Sequence, residues 1–227
     1  MRTSHRFSWI PCVLAAIVVL TSIPAVKAQT SAAHTDADTH YLYRFVSDHM
    51  LPNEVKVEFD GAGKGTLAFN APDGQAIHVP IRLKLSTIAN FAPLFDSLDF
   101  FNSGQAYQSD RDTPKAGLVT IGFKRGSQER RVSFNNTDNS IIMEIRDGLH
   151  AITRQEYRAY LLDRALRDMP EMLPDALKAV DEAITKHEVP DPARFLPELE
   201  DVASRPGMSA ESKKHAEELI KLIPATK

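Results

Sequence analysis

The chain has 227 residues, 27 of them basic and 30 acidic, with a net charge of −3 at pH 7 and one cysteine. This length allows one large or two small domains with a buried core. The acidic balance argues against nucleic-acid binding, and a single cysteine excludes a disulfide within the chain.

Residues 1–28 have the pattern of a cleaved secretory signal. A basic head precedes an apolar run from Ile10 to Ile23, and Val26 and Ala28 occupy the two positions that a signal peptidase reads. The run is shorter than the ~20 residues of a membrane-spanning helix, so we expect no membrane span. The protein is predicted to be exported, either periplasmic or secreted, with a mature chain that starts near Gln29.

Cleavage near Ala28 also changes the composition of the mature chain. It removes Cys12, the only cysteine, together with the basic head. A mature chain without cysteine can form no disulfide and has no thiol nucleophile. This composition fits a bacterial envelope protein better than a eukaryotic secreted protein.

The next segment, residues 29–40, is small and polar without apolar periodicity, which predicts a flexible tail. It contains four possible metal ligands: His34, Asp36, Asp38 and His40. Ordering such a segment around a metal ion costs about 1 to 2 kcal/mol per residue, so we expect no metal site there. Apolar residues at helical spacing then predict a short helix over residues 42–50, ended by Pro52.

A three-stranded meander is predicted next, because apolar and polar residues alternate in three runs that begin at Val55, Leu67 and Ile77. Pro80 in the third run cannot donate to a ladder, so that strand is expected at an edge or with a bulge. The turn GAGKGT at residues 61–66 is similar to the second half of a phosphate-binding loop. A strand pattern follows it where such a loop requires a helix, so we interpret it as a hairpin turn.

A helix, a loop and a second hairpin are predicted after the meander. Ser86 can cap a helix whose apolar stripe ends at Leu98 and covers the sheet, with Pro93 kinking or restarting it. A polar stretch, residues 102–116, follows. Gly126-Ser127 between two alternating runs then predicts a hairpin turn.

From Asp138 onward the apolar period is helical. Thr153 and Glu156 have the spacing of a capping box, which predicts a helix start at this point. Three further helices are predicted to begin at Pro170 to Pro174, at Asp191 and at Ser209.

These elements predict the α+β class, with an antiparallel sheet, covering helices and an all-helical C-terminal part. The predicted organisation is a signal peptide (1–28), a flexible tail (29–40), an α+β domain (41–152) and a helical region of α-hairpins (153–227).

No complete catalytic or cofactor-binding motif occurs in the chain. It contains no G-x-S-x-G elbow and no histidine spacing typical of a metal site. Acid pairs such as Asp110 and Asp112 are two residues apart and are interpreted as solvated side chains. These absences favour a protein without enzymatic activity and without a cofactor, although distant residues could still assemble an active site.

Two neighbouring features form the candidate site for a protein partner. Loop 102–116 is near the length, about 12 to 15 residues, above which structureless loops are usually functional or disordered. The hairpin after it is a basic patch on an acidic protein, although its charges could simply protect a sheet edge. The candidate partner-binding residues are Tyr107, Asp110, Asp112, Lys124, Arg125, Arg130 and Arg131.

The order of elements over residues 55–152 resembles that of emfourin-like bacterial inhibitors of thermolysin-type proteases. The shared order is strands, a helix ending in Leu98-Asp99-Phe100-Phe101, a polar acidic loop, a strand hairpin and an apolar helix. The resemblance implies protease inhibition but assigns no inhibitory residue. The helical C-terminal part is additional to this layout, and its paired helices are similar to HEAT-type repeats.

Three functional hypotheses follow from the sequence. The first is an exported, non-enzymatic binding or inhibitory module that acts on a protein partner in the envelope or outside the cell through loop 102–116 and the basic hairpin. The second is a hydrolase or small-ligand binder with its site between the sheet and helical parts, where pockets tend to form. The third is a structural envelope protein, whose helices stack on neighbouring proteins.

Overall fold

The computed structural model describes residues 38–111 and 113–224. The predicted signal peptide, the cleavage site near Ala28, the tail up to residue 37 and Asp112 lie outside the described residues. All described residues belong to one compact unit of the chain, Thr35–Lys227.

Six antiparallel strands form one sheet in the order β4-β3-β2-β1-β5-β6. Together with the helices of the C-terminal part, this sheet confirms the predicted α+β class. The strands are β1 (Thr39–Val46), β2 (Glu54–Asp60), β3 (Lys64–Asn70), β4 (Ala76–Arg82), β5 (Leu118–Arg125) and β6 (Gln128–Phe134).

Both predicted hairpin systems are confirmed. β2, β3 and β4 pair as a meander, and the Asp60 carboxylate accepts hydrogen bonds from the amides of Ala62 and Lys64 in the first turn. β5 and β6 pair across Gly126-Ser127. β4, which contains Pro80, lies at the edge of the sheet as expected.

The predicted helix over residues 42–50 is wrong, because this segment contributes most of the central strand β1. The aliphatic residues of this segment have helical spacing, but the segment also has an alternating pattern. Tyr41, Tyr43 and Phe45 occupy alternate positions and lie on one face of the strand. Aromatic residues favour strands, and β1 pairs with both β2 and β5. β1 also includes Thr39 and His40, the last two residues of the predicted tail.

Six α-helices are assigned within the described residues: α1 (Leu85–Ile88), α2 (Phe91–Ser97), α3 (Ser140–Arg167), α4 (Leu173–Thr185), α5 (Leu196–Ser204) and α6 (Ala210–Leu222). Ser86 lies inside α1 rather than at its cap, and Pro93 lies in the first turn of α2 after a restart. α4 starts within the predicted range Pro170 to Pro174, and Ser209 caps α6 through the amide of Ser212. The helix predicted from Asp191 begins as a 3-10 helix, Pro192–Phe195, and α5 follows it from Leu196.

The predicted helix start at Thr153 is also wrong, because α3 runs unbroken for 28 residues. No proline lies in α3 to interrupt it, and its one glycine, Gly148, lies more than one turn before Thr153. The Thr153 hydroxyl donates to the carbonyl of Leu149 one turn earlier, and Glu156 pairs with a later helix instead of an N-cap. The spacing of a capping box therefore occurs inside a continuous helix.

One face of the sheet packs against α2 and the first half of α3. The buried residues of this half of α3 are Ile142, Ile145, Leu149 and Ile152. Phe123 of the sheet stacks on Phe95 of α2 with 4.3 Å between the ring centroids. The Tyr41 ring lies tilted to that of Phe95 at 6.2 Å. Gly148 allows α2 to approach, since a Cβ atom there would lie 2.9 Å from the Phe91 ring.

The second half of α3 packs in a separate apolar cluster with α4, α5 and α6. Its buried residues in this cluster are Ala159, Leu162, Ala165 and Leu166. The predicted boundary between residues 152 and 153 therefore lies inside a helix that belongs to both clusters.

A buried polar network links α3 to the start of α5. Glu156, which is 1% exposed, accepts from Arg194 at 3.0 Å and from the Gln155 side-chain amide at 3.0 Å. Arg194 also pairs with Glu198 at 3.1 Å. Since the buried carboxylate has both a charged and a neutral donor, its burial is compensated.

A second buried polar contact joins β1 to α3. The Tyr43 hydroxyl lies 2.9 Å from Nδ1 of His150, within hydrogen-bond distance. Burial raises the pKa of Tyr43, so the phenol keeps its proton. Burial, reinforced by the charge of Arg154, lowers the pKa of His150. The neutral form of the imidazole is therefore favoured.

This contact predicts a dependence of stability on pH. Because His150 has a lower pKa folded than its unfolded value of 6.5, its contribution is fully present above that value and is lost as pH falls below it. The His150→Gln variant should show a smaller loss of unfolding free energy between about pH 7.5 and about pH 5, measured by urea unfolding.

The exposed His78 of β4 supplies the matched control. His78→Gln should keep the pH dependence of the unmodified protein. Equal slopes for the unmodified protein and the His150→Gln variant would contradict the assignment of this dependence to His150.

Candidate functional site

The register of the second hairpin separates the predicted basic cluster onto two faces of the sheet. Phe123 lies opposite Arg130, and Gly122 lies opposite Arg131. Because side chains alternate along a strand, Arg125 and Arg130 share the helix-covered face with the buried Phe123. Lys124 and Arg131 lie on the other face, which we call the open face.

Arg130 anchors the start of loop 102–116. Its guanidinium donates to the carbonyls of Phe100 and Gln105 and, at 2.7 Å, to the Ser103 hydroxyl. It also lies over the rings of Phe100 and Tyr107, 5.0 and 5.7 Å from their centroids. Charge-assisted hydrogen bonds are stronger than neutral ones, and cation–π contacts add to them. Because Arg130 holds this segment through such contacts, we call residues 103–109 the anchored loop.

Tyr107 is a structural part of this loop. The side chain is buried, and its ring is nearly parallel to that of Phe100 at 6.1 Å. Its hydroxyl lies 2.9 Å from that of Ser103. A φ of 61° at Tyr107 turns the backbone through the left-handed region, and the packed ring holds that conformation.

The remainder of the anchored loop runs beside the end of β6. The Gln108 side-chain amide donates to Asn135 at 2.8 Å and accepts from its backbone amide at 3.0 Å. The Ser109 amide donates to the Asn136 carbonyl at 3.0 Å. Residues 104–106 and Asp110 remain exposed.

The other candidate residues of the hairpin have different surroundings. Arg125 pairs with both carboxylate oxygens of Asp96, at 2.8 and 3.3 Å. Arg131 pairs with the exposed Glu129 at 2.9 Å. Lys124 has no ion-pair partner among the residues that the structure describes.

Lys124 and Arg131 line a shallow groove of about 300 Å³ on the open face. Gly122 also lines the groove, and a Cβ atom there would lie 3.0 Å from the Leu42 side chain. His40 and Glu58 complete a lining of mixed charge. The groove therefore has no single sign of charge to select a partner.

A different site, the apolar cavity, lies between the sheet and the helical part and has a volume of about 370 Å³. Its wall on the sheet side includes Phe69, Pro72 and Ile77, together with Leu51 and Pro52 from the loop after β1. Its wall on the helix side is formed by the second half of α3 and the segment after it: Tyr157, Tyr160, Leu161, Ala165, Met169 and Met172.

Two tyrosines hold the position of the cavity wall. The rings of Tyr157 and Tyr160 pack edge-on against Phe69 at 4.9 and 5.0 Å. Burial raises the pKa of Tyr157, so its hydroxyl is protonated near neutral pH. Arg164, one turn after Tyr160, donates to the Tyr160 hydroxyl at 3.0 Å and places a guanidinium in the cavity lining.

Two apolar side chains at the mouth of the cavity are open to solvent. Leu51 is 79% exposed and Met172 is 42% exposed, whereas most large apolar side chains of the described chain are buried. The sequence identified Pro52 only as a helix end and indicated no functional role for Tyr157 or Tyr160. The one signal for this site was the expectation of a pocket between the sheet and helical parts.

No protein-family model matches the chain, and a search of the curated proteins gives no match. Among the described residues, no helix is both long enough and apolar enough to cross a membrane. The same residues contain no group of three or more histidine, cysteine or acidic side chains that could hold a metal ion. His34 and Asp36 lie outside them.

The anchored loop predicts different roles for two adjacent arginines. Arg130→Ala removes several charge-assisted hydrogen bonds and should lower the free energy of unfolding by about 1 to 3 kcal/mol. Amide hydrogen exchange in residues 103–109 should become faster at the same time. Urea unfolding and hydrogen-exchange mass spectrometry measure the two effects.

Arg131→Ala is the matched control, because its side chain is 60% exposed and pairs only at the surface. It should change the unfolding free energy by less than about 0.5 kcal/mol. If both variants had the same effect on stability and on exchange, Arg130 would have no anchoring role.

Proposed function

We propose that the protein is an exported, non-enzymatic binding protein that holds a small molecule with an apolar portion in the apolar cavity. The observation that carries this proposal is the cavity itself, which lies between the sheet and the second half of α3. This position corresponds to the second hypothesis from the sequence, a small-ligand binder with its site between the sheet and helical parts.

Size and lining both support a ligand of this kind. Ligand sites are typically concave, mostly apolar and about 300 to 1,000 Å³ in volume, with a few polar groups. The cavity lies within this range, and the polar side chains among the described residues of its lining are Asn70, two tyrosines and Arg164. A ligand that covers the exposed Leu51 and Met172 would remove their apolar surface from contact with water, which favours binding.

The chemistry of the lining favours binding over hydrolysis. Among the described residues that line the cavity there is no carboxylate, histidine, serine or cysteine. These are the groups that most often act as general bases or nucleophiles. We therefore propose a function in holding or carrying a ligand.

Titration with N-phenyl-1-naphthylamine, an uncharged apolar probe whose fluorescence increases in apolar surroundings, tests the proposal. The purified protein should bind the probe saturably. Ala71→Trp adds a large side chain to a surface turn in the cavity wall and should weaken probe binding at least about tenfold, since it occupies the ligand volume.

Ala76→Trp is the matched control, because Ala76 is an exposed residue of the same β3–β4 hairpin outside the cavity lining. It should bind the probe like the unmodified protein. Absence of saturable binding, or equal binding by the Ala71→Trp variant, would overturn the proposal. Circular dichroism of both variants checks that the fold is retained.

A second candidate function is the protein-binding or inhibitory module of the first hypothesis. The observation that favours it is the anchored loop, whose residues 104–106 are exposed while Arg130 donates to the backbone carbonyls of Phe100, before them, and Gln105, among them. A loop fixed in advance loses less conformational entropy when a partner binds. The resemblance to emfourin-like inhibitors makes thermolysin-type proteases the first partner class to test.

Inhibition of a thermolysin-type protease, measured with a fluorogenic peptide, tests this second function. Gln105→Trp places a large side chain on the exposed part of the anchored loop and should abolish inhibition through steric conflict with the enzyme. Gln75→Trp changes an exposed glutamine in the β3–β4 turn and should inhibit normally. No inhibition by the unmodified protein, or equal inhibition by both variants, would contradict a role in protease inhibition.

A further inference from the structure

We infer that the ligand of the apolar cavity is a single-chain amphiphile with an anionic head group, which Arg164 binds at the mouth while the chain occupies the apolar interior. This inference rests on the proposed function and adds the charge of the ligand to it. Arg164 has no carboxylate partner among the described residues, and the hydroxyls of Tyr157 and Tyr160 are available as donors. The remainder of the lining is mostly apolar.

Arg164 differs from the other arginines of α3. Each of the others has a carboxylate partner: Arg146 pairs with Asp147, Arg154 and Arg158 with Glu188, and Arg167 with Asp163. Among the described residues, Arg164 has no carboxylate within ion-pair distance, and its side chain donates only to the Tyr160 hydroxyl. Since a guanidinium has five N–H donors, most of them are free for a ligand.

The groups next to Arg164 also offer donors. The Tyr160 oxygen accepts from Arg164, which leaves its own hydrogen free to donate. Tyr157 lines the same cavity, and its protonated hydroxyl has no hydrogen-bond partner among the described residues. A head group rich in acceptor oxygens would satisfy all three side chains.

The charges of the lining residues also favour an anionic head group. Arg164 is the only cation among the described lining residues, and no Asp or Glu is among them. An anion would therefore meet one positive charge and no nearby negative charge of the lining. A cationic head group would be repelled by Arg164, and a neutral head group would leave the guanidinium without a charged partner.

The apolar part of the lining fits a flexible chain. It combines Phe69 and Ile77 from the sheet with Leu161, Met169 and Met172 from the helical side. Methionine side chains adapt to irregular apolar ligands because they are flexible and polarizable. An unbranched alkyl chain would pack on these side chains and cover the exposed Met172.

Displacement of N-phenyl-1-naphthylamine by four ligands that share one alkyl chain tests the inference. The ligands are decanoate, decyl phosphate, decanol and decylammonium. Decanoate should displace the probe at a concentration at least about tenfold lower than decanol, because charge-assisted hydrogen bonds exceed neutral ones. Decylammonium should bind more weakly than decanol.

Arg164→Gln and Arg167→Gln form a matched pair on the same helix. In Arg164→Gln the ratio of the decanol and decanoate dissociation constants should fall to about one, and this ratio corrects for any general change in the cavity. Arg167→Gln, whose side chain pairs with Asp163 outside the cavity lining, should keep the ratio of the unmodified protein.

The outcomes separate the inference from the proposed function. If the probe binds but decanoate shows no advantage over decanol, or if Arg164→Gln keeps the advantage, the inference is overturned and the proposed function stands. If the probe does not bind, both are overturned. Preference for decanoate over decyl phosphate indicates a free carboxylate as the natural head group, the reverse preference indicates a phosphate head group, and either supports an anionic ligand.

Discussion

Helix α3 is the constraint on which the remainder of the structure depends. Its first half packs on the sheet and its second half packs among α4, α5 and α6. A 28-residue helix supplies both apolar surfaces without an intervening loop, so the sheet and the helical part have one rigid element in common. The Tyr43–His150 contact and the network around Glu156 add polar interactions along the same helix.

The two candidate binding regions use this framework in different ways. The anchored loop obtains its shape from polar contacts to Arg130 and from two stacked rings, Phe100 and Tyr107. The apolar cavity is lined by the second half of α3 and the segment after it, by the loop after β1 and by the β3–β4 hairpin. One region offers a fixed surface and the other an interior volume, which fit partners of different size.

Local patterns in the sequence predicted most elements correctly, and the failures have physical causes. The alternation of apolar and polar residues identified β2 to β6. In β1 the aliphatic residues have helical spacing, and the alternation becomes clear only when Tyr41 and Tyr43 are treated as apolar. Strand periodicity could also have separated Arg130 from Arg131, because adjacent residues of a strand face opposite sides. The cavity could not be predicted from local patterns, since its walls come from residues 51–52, 69–77 and 157–172, which only the tertiary fold brings together.

The position of the apolar cavity has a consequence for cooperativity. Phe69 belongs to the cluster of the sheet, and Ala165 belongs to the cluster of the helical part, yet both line the same cavity. A molecule bound there contacts both clusters at once, so neither can open without releasing it. Since a ligand that binds only the folded state stabilises that state by mass action, occupancy couples the melting of the sheet to that of the helices, and the protein would unfold more nearly in one step when it is loaded than when it is empty.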